Sequence, residues 1–175
     1  MSLVTRPRLI GLGLAGVVFL TDQGLKWLVT GPLGLRLDGQ QITLLPVFGL
    51  TRTSNYGVSL GLLTADSMEM RWGLVALTAA IAAVVLAWLL REKQMADIVP
   101  LGMVLGGALG NILDRVRLGS VIDYADLHFG TFRPFLVFNL ADAAITLGVV
   151  FILARSLLIR EKPDSDDAAQ RPTEK

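Results

Sequence analysis

Asn139, Asp142 and Asp123 are the residues of this sequence whose types and spacing suit chemistry. The stretch 136–146 reads L-V-F-N-L-A-D-A-A-I-T and sets Asn139 and Asp142 inside an apolar run from about residue 135 to 159. A run of that length can cross a bilayer. A carboxylate inside it is expensive and needs either a partner or a role. Three residues apart, Asn139 and Asp142 are expected on one face of a helix, aimed at a common target. A candidate partner is Asp123, in V-I-D-Y just before the span. Two carboxyls held close together cannot both ionise cheaply. One then keeps its proton while the other is free to act as a base, which is how an aspartate dyad works.

Composition leaves few other chemistries open. The 175 residues are 53% hydrophobic with a mean hydropathy of +0.59, too apolar for an ordinary soluble domain. A net charge of +1 and the lack of any Lys/Arg-rich block argue against a nucleic-acid partner. With no cysteine, disulfides and thiolate metal sites are excluded. A single histidine, His128, argues against the usual zinc ligand set, so no metal and no cofactor is expected.

The elements that must position these acids are four apolar spans. The first covers about residues 9–29: apolar or glycine through Leu20, then Thr21, Asp22, Gln23, Lys26 and Trp27. It contains G-L-G-L-A-G, a formal match to a dinucleotide-binding turn. No strand precedes it, so close helix packing by small residues is the better account. Between about 30 and 69 hydropathy falls, and residues 41–50 predict a strand or two on the membrane surface. Gly57-x-Ser59-x-Gly61 resembles a nucleophile elbow but lacks a histidine base and a strand–turn–helix context. Asn55, just ahead of Gly57, fits a turn. Residues 71–90 form a second span and 97–115 a third, where Gly102, Gly106 and Gly110 recur every four residues for tight helix contact. At its end Asn111, Asp114 and Arg115 share one side. The fourth span follows a loop carrying Arg117, Asp123, Asp126, His128 and Arg133.

The expected fold is therefore an all-α membrane protein of four transmembrane helices with a small extracytoplasmic β-containing segment. A single domain covers residues 1–162, with extracytoplasmic segments at about 30–70 and 116–135. Residues 163–175 read as a disordered cytoplasmic tail. Four spans put both ends on one side; basic residues are nearly as many on the other, and the short basic link at 91–96 favours the ends' side as cytoplasmic. Asp22, Asn111, Asp114, Asn139 and Asp142 then fall at one depth on the opposite side, with Asp142 on the order of 10 Å below the outer edge. A proton-coupled carrier would spread polar groups through both halves of the spans. Plainer readings stand beside the catalytic one. Asp22 and Lys26 can neutralise each other with Lys26 snorkelling outward, and Asp114 and Arg115 can cap or pair at a helix end. Asp126 reads as a solvated loop acid and His128 as a surface residue.

Taken together, T-D-Q at 21–23, T-S-N-Y-G at 53–57, G-G-A-L-G-N-I-L-D-R at 106–115, V-I-D-Y at 121–124 and F-N-L-A-D-A-A-I at 138–145 resemble the bacterial lipoprotein signal peptidase (signal peptidase II) family. The ordered match spans about residues 9–159. The resemblance implies intramembrane aspartic proteolysis, cutting prolipoproteins just before a lipid-modified cysteine, in the bacterial inner membrane with the site facing outward. It implies Asp123 and Asp142 as the catalytic pair, and Asp22, Asn55, Asn111, Arg115 and Asn139 as the substrate-binding residues. Expected partners are the prolipoprotein and membrane lipid, and the chain is expected to be a monomer.

Overall fold

The computed structural model describes residues 6–57, 68–130 and 132–159. Four long helices carry the apolar spans: α1 (Arg6–Thr30), α2 (Met68–Arg91), α3 (Met95–Leu118) and α4 (Leu140–Ile159). Each is long and apolar enough to cross a membrane. Their outer faces expose Leu77, Ile81, Val84 and Trp88 on α2, and Val150, Phe151, Leu153 and Leu157 on α4. In water such faces would aggregate; hydrocarbon is the solvent that suits them.

Helix α3 is the centre, packed against the other three. Its glycines explain why. A Cβ on Gly102 would sit 2.6 Å from the backbone oxygen of Gly11, and one on Gly107 would sit 2.5 Å from that of Ala141. Only glycine lets α1 and α4 approach α3 this closely, which is how small residues drive helix association in lipid. In the G-L-G-L-A-G stretch of α1, Gly11 does pack, against Ile98 and Leu89, whereas Gly13 and Gly16 face open space.

Three strands, β1 (Gln41–Leu45), β2 (Phe48–Asn55) and β3 (Val121–Leu127), form an antiparallel sheet in the order β1-β2-β3. The sheet lies at the end of the bundle where α1 and α3 finish and α4 begins. The opposite end is tied by Arg8, whose Nε donates to the Glu92 carbonyl at 3.1 Å, and by Arg155, whose Nε lies 2.9 Å from Asp97. Arg155 thus ties α4 to the start of α3 through an ion pair. The strands expected over residues 41–50 are present as β1 and the first part of β2, which runs on to Asn55. The third strand corrects the loop expected at 116–135: V-I-D-Y-A-D-L is extended because it pairs with β2 through Thr53↔Asp123 and Asn55↔Val121. The fourth helix begins at Leu140, not near residue 135. Residues before it are held in extended pairing instead, the Phe138 N–H donating to the Ala125 carbonyl at 3.1 Å and the Ala125 N–H to the Phe138 carbonyl at 2.7 Å. Ser59 and Gly61 of the elbow-like motif, and the tail at 163–175, lie outside the described residues.

Candidate active site

The pairing of Phe138 with β3 sets Asn139 beside Asp123. The Asn139 Nδ2 donates to Asp123 Oδ1 at 2.6 Å, to the Ile122 carbonyl at 3.3 Å and to Asn111 Oδ1 at 3.3 Å. Its other end belongs to Asp142: the Asp142 N–H donates to Asn139 Oδ1 at 2.9 Å, and the Asn139 N–H points back to Asp142 Oδ2 at 3.4 Å. That reciprocal pair is a capping box, with Asn139 as the N-cap of α4 and Asp142 three residues on. The two residues are therefore not one turn apart on a helical face. Asp142 is the third residue of α4, about 4 Å from its start, rather than deep in the span.

Each carboxylate has a second amide donor. Asn111 Nδ2 donates to Asp142 Oδ1 at 2.8 Å, and Asn55 Nδ2 to Asp123 Oδ2 at 3.1 Å. Asn55 also makes the turn read from its sequence, its Oδ1 accepting the Gly57 N–H at 3.1 Å. Asp123 is 2% exposed, and burial, followed by the charge of Asp142, pushes its carboxyl up to about 7. The Asn55 and Asn139 amides, and the charge of Lys26, oppose that rise. An acid of this kind exists in both protonation states near neutrality.

Behind the acid pair lies a second polar cluster. Lys26 is 2% exposed and reaches Asp22 Oδ2 at 2.8 Å, Asp114 Oδ2 at 2.7 Å and Asn111 Oδ1 at 3.3 Å. Gln23 Nε2 joins the same acids, at 3.2 Å from Asp22 and 3.0 Å from Asp114. Lys26 thus pairs inward rather than snorkelling, because α1 turns this face toward α3. Asp22 is closed off by Lys26, Gln23 and the Ala141 N–H at 3.1 Å. Arg115 donates to the Gly57 carbonyl at 2.9 Å, tying the chain after β2 to α3, and among the described residues it pairs with neither Asp114 nor another acid. Asp126, expected in solvent, is buried and held by Thr51 at 2.7 Å and by both ends of Arg133 at 3.1 and 3.2 Å. His128 lies 3.9 Å from it.

Among the seven residues singled out by sequence, Asn55, Asn111, Asp123, Asn139 and Asp142 form one connected network. Asp22 adjoins it through Lys26 and Ala141, and Arg115 adjoins it at Gly57 and Asn111. The residues that sequence reading passed over are Lys26, Gln23 and Asp114 as a joined set. The N-x-x-D signature of the cap at 139–142 was a signal in plain view. A recess of about 450 Å³, lined by Thr51, Thr53, Arg133, Phe135 and Leu136, opens between β2 and the segment before α4. Thr53, on its wall, is the strand partner of Asp123.

Comparison with known proteins agrees with this architecture. Residues 14–158 match the family model described as signal peptidase (SPase) II. The chain is 50% identical over 169 residues to a lipoprotein signal peptidase of Sphingopyxis alaskensis, covering 96% of this chain and 97% of that one. It is 54% identical over 154 residues to one of Rhizorhabdus wittichii, covering 88% and 89%. Among solved structures, a bacterial membrane enzyme superposes with a TM-score of 0.74 at 23% identity, over 95% of this chain and 93% of that one. A second bacterial membrane enzyme gives a TM-score of 0.72 at 25% identity, over 87% and 94%. The chain belongs to the signal peptidase II family.

Proposed function

We propose that this protein is an aspartic endopeptidase of the bacterial inner membrane that removes the signal peptide of prolipoproteins, cutting just before the lipid-modified cysteine. Family membership and the names of the relatives support the substrate class. The observation that carries the aspartic mechanism is Asn139, whose side chain joins Asp123 to Asp142 across two separate elements.

In this mechanism a water sits between the two carboxyls. Asp142, an anion at the positive end of the α4 dipole, takes its proton as the oxygen attacks the scissile carbonyl carbon. Asp123, whose carboxyl burial pushes up to about 7, acts in its protonated form and gives that proton to the carbonyl oxygen, forming a neutral tetrahedral diol. The diol returns a proton to Asp123 as the carbonyl re-forms. Asp142 passes its proton to the leaving nitrogen as the C–N bond breaks, and the pair regains its starting state. The carboxyls share one proton throughout, so their titration belongs to the pair.

Asn55, Asn111 and Asn139 hold the acids in place and offer amide donors to substrate carbonyls. Arg115 holds the chain after β2 near the site, and Asp22 acts through position. The recess beside Thr53 takes the substrate segment next to the cleaved bond. The basic residues Arg6, Arg8, Arg91, Lys93 and Arg155 favour cytoplasmic termini, with the sheet and acids facing outward. That depth suits a cysteine whose acyl chains stay in the outer leaflet. The test is to reconstitute the purified monomer in lipid and offer matched prolipoproteins with and without the diacylglyceryl group. Cleavage before the cysteine of the lipidated form alone is expected. Equal cleavage of both would remove lipid recognition from the reading.

A further inference from the structure

The buried cluster at Lys26 touches each element that bears the acid pair, one residue away from the acid itself. Asp22 accepts the N–H of Ala141, immediately before Asp142, at 3.1 Å. Asp114 accepts the N–H of Ile122, immediately before Asp123, at 3.2 Å. Lys26 joins those two carboxylates at 2.8 and 2.7 Å. Its remaining N–H goes to Asn111 Oδ1, and Asn111 in turn donates to Asp142. We propose that Lys26 is a positioning residue: the Asp22–Lys26–Asp114 bridge sets the spacing of Asp123 and Asp142 and fixes the Asn111 amide toward Asp142. This rests on the aspartate-pair reading above.

The chemistry of the ammonium group gives the direction. Lysine has three donors and no acceptor, so Asn111 must present its oxygen to Lys26 and therefore its NH₂ to Asp142. Turned the other way, the amide would set NH₂ against an ammonium and C=O against a carboxylate. Asn139 Nδ2 donates to the same Asn111 oxygen, so one cation orients two of the three amides that reach the acids, Asn111 and Asn139. The two carboxylates flank the ammonium from α1 and α3. Gln23 adds a further link by bonding Asp22, Asp114 and the Gly110 carbonyl.

Replacing Lys26 alone would strand two buried acids, so the test uses the neutral variant Asp22→Asn/Lys26→Met/Asp114→Asn. The new amides keep acceptors for the Ala141 and Ile122 N–H groups but lose the bridge. The full chain is purified, its Tm is measured, and kcat and KM are read on a prolipoprotein-derived peptide with a diacylglyceryl-modified cysteine. Expected are a folded protein, a kcat lower by about 10- to 100-fold from misplaced reacting groups, and a KM within about threefold of the parent. Adding Asn111→Ala to this background should cost little more, although it costs activity in the parent, because the bridge and the amide act as one unit. Lys26→Arg in the parent, which keeps the charge and the donors beside both carboxylates, should retain most of the kcat. Three results would overturn the proposal: an unchanged kcat, fully additive losses with Asn111→Ala, or a triple variant that does not fold, which would assign the bridge to stability alone. Asp142→Asn is measured alongside. If it keeps activity, the aspartate-pair reading fails and this proposal with it; if it is inactive while the triple variant is not, this proposal alone fails.

Discussion

Asn139 and Asp142 cap each other: the Asp142 N–H donates to Asn139 Oδ1 at 2.9 Å while the Asn139 N–H faces Asp142 Oδ2 at 3.4 Å. The same Asn139 side chain donates to Asp123 at 2.6 Å. One asparagine thus starts α4, orients one acid and hydrogen-bonds the other. Asn139→Ala should destabilise the fold by about 1 kcal/mol, the usual value of an N-cap. It should lower kcat much more, by about 100-fold or beyond, because both acids lose a partner. Thermal unfolding in detergent and steady-state kinetics read the two effects separately. A kcat that fell only in proportion to folded protein would leave Asn139 a cap and nothing more.

The Asp123 carboxyl titrates near 7 because burial and the Asp142 charge raise it, while Asn55 and Asn139 pull it back. In the proposed mechanism Asp123 must be protonated, so activity is present below that value and lost as pH rises through it. Removing the Asn55 donor takes away a group that favours the anion, so the pKa rises further. The alkaline limb of the kcat/KM profile should therefore move to higher pH in Asn55→Ala. A limb that stayed put or moved down would take Asp123 out of the acid role.

Glycines of α3 set how near the other helices come. A Cβ at Gly107 would meet the Ala141 carbonyl at 2.5 Å, next to Asp142. Gly107→Ala should push the start of α4 away from α3, costing about 1–3 kcal/mol of stability and also activity. Gly13→Ala on α1 faces open space and should change neither. Comparing the two by Tm and cleavage rate separates helix contact from general sensitivity to alanine.

Much of this arrangement was readable before any coordinates. The four spans follow from apolar runs, and Asn139 and Asp142 stand out as polar groups inside one; Asp123 is by itself an ordinary loop acid, and Asn55 and Asn111 enter the site through the family resemblance. The misreadings share a cause. The plainer reading of Lys26 pairs it with Asp22, as found, but turns it outward, because i,i+4 spacing gives a face and not its direction; rotation of α1 in the bundle turns that face to Asp114. Asp126 read as a solvated acid because nothing in its neighbourhood announces Thr51, which is 75 residues away. The third strand was missed because an isolated V-I-D-Y-A-D-L is too short to declare itself; β2, far off in sequence, supplies its partners. The cap at Asn139 was legible but hidden inside an apolar run that looked like uninterrupted helix.

The central claim is that Asp123 and Asp142 act together on one water. The most direct test is cleavage of a diacylglyceryl-modified prolipoprotein by Asp123→Asn and by Asp142→Asn, each purified as full-length protein and checked for folding. Both substitutions keep the size of the side chain and remove only the acid. We expect each to reduce kcat below detection, with Tm close to the parent. Turnover persisting in either folded variant would contradict the shared-water mechanism and remove that residue from it.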